Sequence, residues 1–168
     1  MSDIFAILAE HDIAYERVDH PPVYTCEEAE EKVPPLPGVH TKNLFVRDGK
    51  GRRHFLVVVG WEKQVDLKAL GGVLETSKLG MASPERLLKY LGVEPGAVTL
   101  LGVVNDREGA VEVVIDQEVW AAEALQSHPL VNTSTLAIGR ADVERLLQAT
   151  GHEPRVVDVP ARVGKTKF

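Results

Sequence analysis

Leu56-Val57-Val58-Val59 is an unbroken apolar run in a chain of 168 residues. A strand sends successive side chains to opposite faces, so a run of this kind has cover on both of them. Just upstream, Asp48-Gly49-Lys50-Gly51-Arg52 carries the Asp-Gly hairpin signal. It joins a strand over residues 40–47 to one over 53–59.

The rest of the chain alternates irregularly between short helices and strands. Ser2 can cap a helix whose apolar positions Ile4, Phe5 and Leu8, then Ile13, follow a helical rhythm. A strand over 15–18 is closed by His20-Pro21-Pro22. Thr25 and Glu28 form a capping box for an acidic helix that reaches about Lys32. The prolines of Val33-Pro34-Pro35-Leu36-Pro37-Gly38 lack amide donors, so this segment is a stiff surface loop.

Asp66 opens a helix through Leu67 and Leu70 that Gly71-Gly72 ends. Ser83-Pro84 starts another, stopped by Gly92. Strands are expected over 98–104 and 111–115, a short helix over 119–124, and a strand over 134–138. An amphipathic helix over 141–150 has Gly151 just past its end, and 155–159 is a last strand. No period repeats and no linker divides the chain. These readings give one α+β domain, residues 1–160, with a central mixed or antiparallel sheet flanked by helices. Residues 161–168, with Arg162, Lys165 and Lys167, read as a weakly ordered basic tail.

Composition narrows the function. A net charge of -6 argues against a protein that coats nucleic acid by neutralising phosphates, though not against one that grips a short end. Cys26 is the one cysteine, which excludes an intrachain disulfide and a Cys-based zinc site. It reads better as a small buried hydrophobe than as a nucleophile. No basic n-region precedes an apolar stretch, and no apolar run approaches the roughly 18 residues a membrane span needs. The expectation is a cytoplasmic protein. The six histidines show neither i, i+4 nor His-x-His spacing, so no metal site is expected. No phosphate-binding glycine loop and no nucleophile elbow are present.

Two segments are unusual for a purely structural chain. In His40-Thr41-Lys42-Asn43-Leu44-Phe45-Val46, alternation puts Lys42 on the same face as Leu44 and Val46. Such a lysine either snorkels to water at the sheet edge or fixes an ammonium at a pocket mouth, and the spacing leaves both open. The proline loop would wall such a pocket. The second segment, Ser127-His128-Pro129-Leu130-Val131-Asn132-Thr133-Ser134, gathers an imidazole and several hydrogen-bonding side chains before a strand. Turn and cap chemistry alone could account for it. Nothing in the spacing brings the two segments together.

The order of several short motifs adds what spacing cannot. They are His20-Pro21-Pro22, Thr25 with Glu28-Ala29, Thr41-Lys42-Asn43-Leu44-Phe45, Val65-Asp66-Leu67, Pro95-Gly96-Ala97-Val98-Thr99 and His128-Pro129-Leu130-Val131-Asn132-Thr133. Together, over residues 2–158, the chain resembles the free-standing relatives of the editing domain inserted in bacterial prolyl-tRNA synthetase. It is most similar to their ProX type, the alanyl-tRNA(Pro) deacylases. The resemblance implies the α+β fold, no metal or organic cofactor, and hydrolysis of a mischarged aminoacyl-tRNA ester at the 3′-terminal adenosine. It maps the essential lysine to Lys42 and the pocket histidine to His128, with Thr41, Asn43, Pro129 and Asn132 beside the substrate. The backbone near Gly102 is implied as part of the oxyanion site. Relatives often carry proline after Val-Thr, where this chain has Leu100-Leu101.

On this reading Lys42 holds the 3′-terminal phosphate or ribose, or the developing oxyanion, while His128 and Asn132 shape the amino-acid pocket. Lys42, Arg47, Lys50, Arg52, Arg53 and Lys63 are candidate phosphate partners; a solvated basic hairpin is the plainer alternative. Rival functions are deacylation of Cys-, Ser- or Thr-charged tRNA and a non-catalytic tRNA- or DNA-binding module. A partner of prolyl-tRNA synthetase is a further possibility.

Overall fold

The computed structural model describes residues 3–23 and 26–162, and of residues 26, 29 and 30 the backbone only. The chain runs α1 (Ile4–Glu10), β1 (Tyr15–Asp19), α2 (Cys26–Lys32), β2 (Thr41–Arg47), β3 (His54–Gly60), α3 (Leu67–Val73), β4 (Gly80–Met81) and α4 (Pro84–Leu91). After 3-10 turns come β5 (Val111–Asp116), α5 (Gln117–Trp120), β6 (Ala124–Ser127), β7 (Ser134–Gly139), α6 (Arg140–Ala149) and β8 (Arg155–Val157).

The apolar run of β3 explains the layering. Leu56 and Val58 join the larger core with α1, α4 and α6, through Leu8, Leu91 and Leu147. Phe55, Val57 and Val59 point the other way, into a second core with Leu70 and Leu74 of α3. β3 therefore sits inside a five-stranded mixed sheet of order β4-β2-β3-β5-β8. Its pairing with β2 is antiparallel and with β5 parallel. A separate three-stranded antiparallel sheet, β1-β7-β6, closes the larger core. The α+β class and the mixed sheet are as expected; the strands divide between two sheets rather than one.

Local chemistry accounts for most element ends. Ser83 Oγ accepts from the Arg86 amide, Pro84 fills the first turn, and Gly92 closes α4 at a φ of 67°. The hairpin turn is held by the Asp48 carboxylate, which accepts from the Arg52 and Arg53 amides. The proline loop is held against β6. The Gln126 side-chain amide donates to the carbonyls of Leu36, Pro37 and Gly38. Gly38, at φ 97°, has no room for a side chain, since a Cβ would lie 3.0 Å from the Ala124 backbone.

Several sequence expectations need correction. Asp3, not Ser2, caps α1, accepting from the amides of Phe5 and Ala6. α3 runs through Gly71-Gly72 to Val73, because Leu70 and Leu74 anchor its last turn in the second core. Residues 98–104 are not a strand: Leu100–Asn105 form 3-10 turns capped by the Thr99 hydroxyl. Thr99 to Val104 are all buried, and uniform burial does not distinguish a coiled from an extended segment. The helix expected over 119–124 spans Gln117–Trp120, and Ala124 already begins β6. At the C-terminus, Ala161 bridges Val65 and the Arg162 amide donates to Gln64 O. The start of the expected tail is thus held to the domain. The Thr25 capping box and residues 163–168 lie outside the described residues.

Candidate functional site

Lys42 and His128, which lie far apart in sequence, line one cleft of about 470 Å³. β2 carries Thr41, Lys42 and Asn43 there. β4 covers only the Val46-Arg47 end of β2, and the Ala82 amide takes Phe45 O, so the edge over residues 41–44 is left open. The other walls include Val23, Met81, Leu87, Pro95 and Val98. Among the described residues that line the cleft, Lys42 is the one fixed charge, set among mostly apolar groups. Its ammonium has no ion-pair or hydrogen-bond partner among the described residues.

His128 is held from two sides. Its carbonyl oxygen accepts a 2.6 Å hydrogen bond from the Thr99 hydroxyl, and its Nδ1 lies 2.9 Å from Ser134 O. A carbonyl only accepts, so Nδ1 carries the proton and the Nε2 lone pair is left for a ligand. Burial holds this imidazole below the ordinary histidine value, partly offset by the Ser134 hydrogen bond and reinforced by His20 and His40.

His20 follows the same logic. Nδ1 is 2.9 Å from Pro21 O and Nε2 is 2.8 Å from Thr135 Oγ1. Nδ1 again donates, and Nε2 accepts the Thr135 proton. The two imidazoles lie with ring centroids 6.3 Å apart.

Behind the cleft is a smaller cavity of about 60 Å³ that shares Thr41, Asn43 and His128 with it. Val33 of the proline loop, Trp61 and Gln126 are among its other walls. Thr41 Oγ donates to Gln126 O at 2.7 Å, tying β2 to β6 across the cavity mouth. Asn43 Oδ1 and Gln126 Oε1 are buried acceptors without a hydrogen-bond partner among the described residues. Leaving such a group unmet costs about 1–3 kcal/mol.

Of the residues singled out from sequence, Thr41, Lys42, Asn43 and His128 meet here. Asn132 lines a neighbouring cavity of about 440 Å³ that shares Pro95 and Gly96 with the cleft. Its amide donates to Val23 O at 3.2 Å. Pro129 is buried beside the site but lines neither cavity. Gly102 does not serve as expected: its amide donates to Thr99 O, and it packs against Leu91. Arg53 and Lys63 are not free for phosphate either. Arg53 makes a two-point pair with Glu112, and Lys63 lies 2.8 Å from Asp116.

Thr99 is visible in the sequence only as the end of Pro95-Gly96-Ala97-Val98-Thr99, with no role attached, and Gln126 and Thr135 carry no spacing signal. His20 was visible only as part of a His-Pro-Pro stop. Among the described residues no group of three or more His, Cys, Asp or Glu is placed to hold a metal ion. No described helix is long and apolar enough to cross a membrane.

Residues 20–146 match the family model of the aminoacyl-tRNA editing domain, and the chain belongs to that family. It is an editing enzyme of the deacylase class, with aminoacylated tRNA as substrate. Its relatives include the prolyl-tRNA editing protein ProX of Acetoanaerobium sticklandii, 38% identical over 93% of this chain and 95% of that protein. The prolyl-tRNA synthetase associated domain-containing protein 1 of Danio rerio is 38% identical over 83% of this chain and 77% of its own length. Among solved structures, a candidate trans-editing enzyme for prolyl-tRNA synthetase superposes with a TM-score of 0.69. It covers 95% of this chain and 96% of its own, at 18% identity, and so supports the fold.

Proposed function

We propose that this chain acts in trans to hydrolyse alanyl-tRNA(Pro), with Lys42 and His128 as the residues that touch the reacting ester. The observation that carries this is the pairing of Lys42 and His128 on one cleft that backs onto a cavity of about 60 Å³. The wide part suits a terminal adenosine, and the small part suits a short side chain. The 38% identity to a prolyl-tRNA editing protein supports the choice of tRNA.

An aminoacyl ester is already activated, so positioning and charge stabilisation are enough. The Lys42 ammonium faces the terminal phosphate or the carbonyl oxygen that becomes negative. Water adds to the ester carbon, the bond to the ribose oxygen breaks, and the proton lost by water ends on that oxygen. His128 Nε2 orients the water; the ribose 2′-hydroxyl is equally placed to relay the proton. Thr41 and Asn43 frame the substrate, Asn132 lies on the neighbouring cavity, and Pro129 backs the His128 segment. Proline is rejected because its ring exceeds the small cavity. Exclusion by clash of this kind can surpass the roughly 1–3 kcal/mol that one methylene supplies.

The test is ester loss from alanyl-, prolyl- and cysteinyl-tRNA(Pro). Alanine should be released and proline spared; no turnover of any would overturn the reading. Faster loss of cysteine would move the substrate but keep the chemistry. A folded Lys42→Ala protein should lose at least about 100-fold in kcat/KM, and wild-type activity there would remove Lys42 from the site. We further propose that the enzyme works beside prolyl-tRNA synthetase, following the name of the Danio rerio relative. Co-purification of the two checks it.

A further inference from the structure

The small cavity behind the cleft is rich in acceptors and, among the described residues, is lined by no fixed charge. Gln126 is 7% exposed, and its side-chain nitrogen faces the carbonyls of Leu36, Pro37 and Gly38. Three acceptors around one end identify that end as the NH2, so the other must be the carbonyl oxygen. Among the described residues that oxygen has no donor, and neither does Asn43 Oδ1 on the same cavity. The nearby hydroxyls do not supply one. Thr41 donates to Gln126 O, and Thr135 lies against His20 Nε2. His128 presents Nε2 as a further lone pair, because Nδ1 is engaged by Ser134 O.

Two unmet carbonyl oxygens on one cavity call for a small ligand group that carries several protons. Ser127, His40 and Trp61 also line it, but among the described residues no fixed positive charge stands there to draw in a carboxylate or phosphate. Of the groups on an aminoacyl ester, the α-ammonium has this chemistry: three donors on one cationic nitrogen.

We infer that this cavity takes the substrate's α-ammonium group beside its short side chain, with Gln126 Oε1 and Asn43 Oδ1 as the acceptors. The inference rests on the deacylase reading above and adds Gln126 as a substrate-binding residue. The loop carbonyls fix the amide, so Oε1 is presented in one orientation to an entering donor. The site then recognises an amino acid by its charged nitrogen as well as by the size of its side chain. An ester lacking that ammonium is a poor substrate even when its side chain is a methyl group.

The test compares the wild-type protein on tRNA(Pro) carrying alanine, lactate (hydroxyl in place of ammonium) or N-acetylalanine, each corrected for spontaneous hydrolysis. The alanyl ester should be cleared about 10- to 100-fold more efficiently than the other two. Equal efficiency on alanyl and lactyl esters would overturn the inference, whereas failure on all three would overturn the deacylase reading instead. Gln126→Met should collapse the alanyl-to-lactyl ratio toward one. If it lowers both rates in proportion, Gln126 only braces the proline loop. Should Gln126→Met not fold, Asn43→Leu reads the same ratio from the other acceptor, and the wild-type comparison stands without either variant.

Discussion

The hydroxyl of Thr99 donates to the carbonyl oxygen of His128 at 2.6 Å, joining the 3-10 turn to the segment that carries the imidazole. Thr99 is fully buried and also accepts from the Leu101 amide. Thr99→Val keeps the shape but leaves the His128 carbonyl without this donor. Stability should fall by about 1–3 kcal/mol, and kcat on alanyl-tRNA(Pro) should fall several-fold in the folded fraction. Urea unfolding and single-turnover deacylation check the two effects separately. Undiminished kcat would show that His128 does not need this tether.

The legible part of this fold was the part with a period or a cap. The β2–β3 hairpin, the Ser83-Pro84 start of α4 and the Gly92 stop are local events, governed by residues a few positions apart. Residues 98–104 form turns where a strand is expected, because a largely apolar segment fits a covered strand and a buried turn equally well. The site was half legible. Lys42 stood out as a cation on a core-facing parity, but its meeting with His128 depends on how two sheets pack. Gln126 gave no sign at all: its role comes from a proline loop lying some ninety residues away in sequence.

Gly102 separates an oxyanion role from a packing role. Its amide is already bonded to Thr99 O, and an added Cβ would stand 3.1 Å from Leu91 Cβ. Gly102→Ala should therefore cost about 1–3 kcal/mol by overpacking, while kcat of the folded protein stays near wild type. A large kcat loss without a stability loss would return Gly102 to the catalytic machinery.

The lowered pKa of His128 sets a pH dependence. Burial is the leading cause, so the neutral imidazole persists below the ordinary value of 6.5. If neutral Nε2 is the working form, kcat/KM should rise with pH through the depressed value and level off before 6.5, after correction for spontaneous hydrolysis. Stability runs in the same direction. The unfolded state binds the proton more readily, so the contribution is complete above 6.5 and is lost as pH falls into the window down to the folded value. His54, lowered by burial and by Arg86, adds to the same loss. A His128→Gln protein should show a weaker stability change between pH 8 and pH 5. An identical change would place the dependence elsewhere.

Lys63 and Asp116 test what holds the C-terminal segment. Lys63 Nζ lies 2.8 Å from Asp116 Oδ2, and the side chains are 16% and 1% exposed. The same ammonium donates to Val159 O, and Asp116 Oδ1 accepts from the Val159 amide. The pair thus fastens the segment after β8 to β5 from both of Val159's polar groups. Lys63→Met would leave the aspartate charge buried without its partner, a loss of about 3–5 kcal/mol. Replacing both, as Lys63→Met with Asp116→Leu, removes the stranded charge and should recover part of that loss. Chemical denaturation of the two variants decides it: if the double variant is no more stable than Lys63→Met, the ion pair is not what makes the single substitution costly.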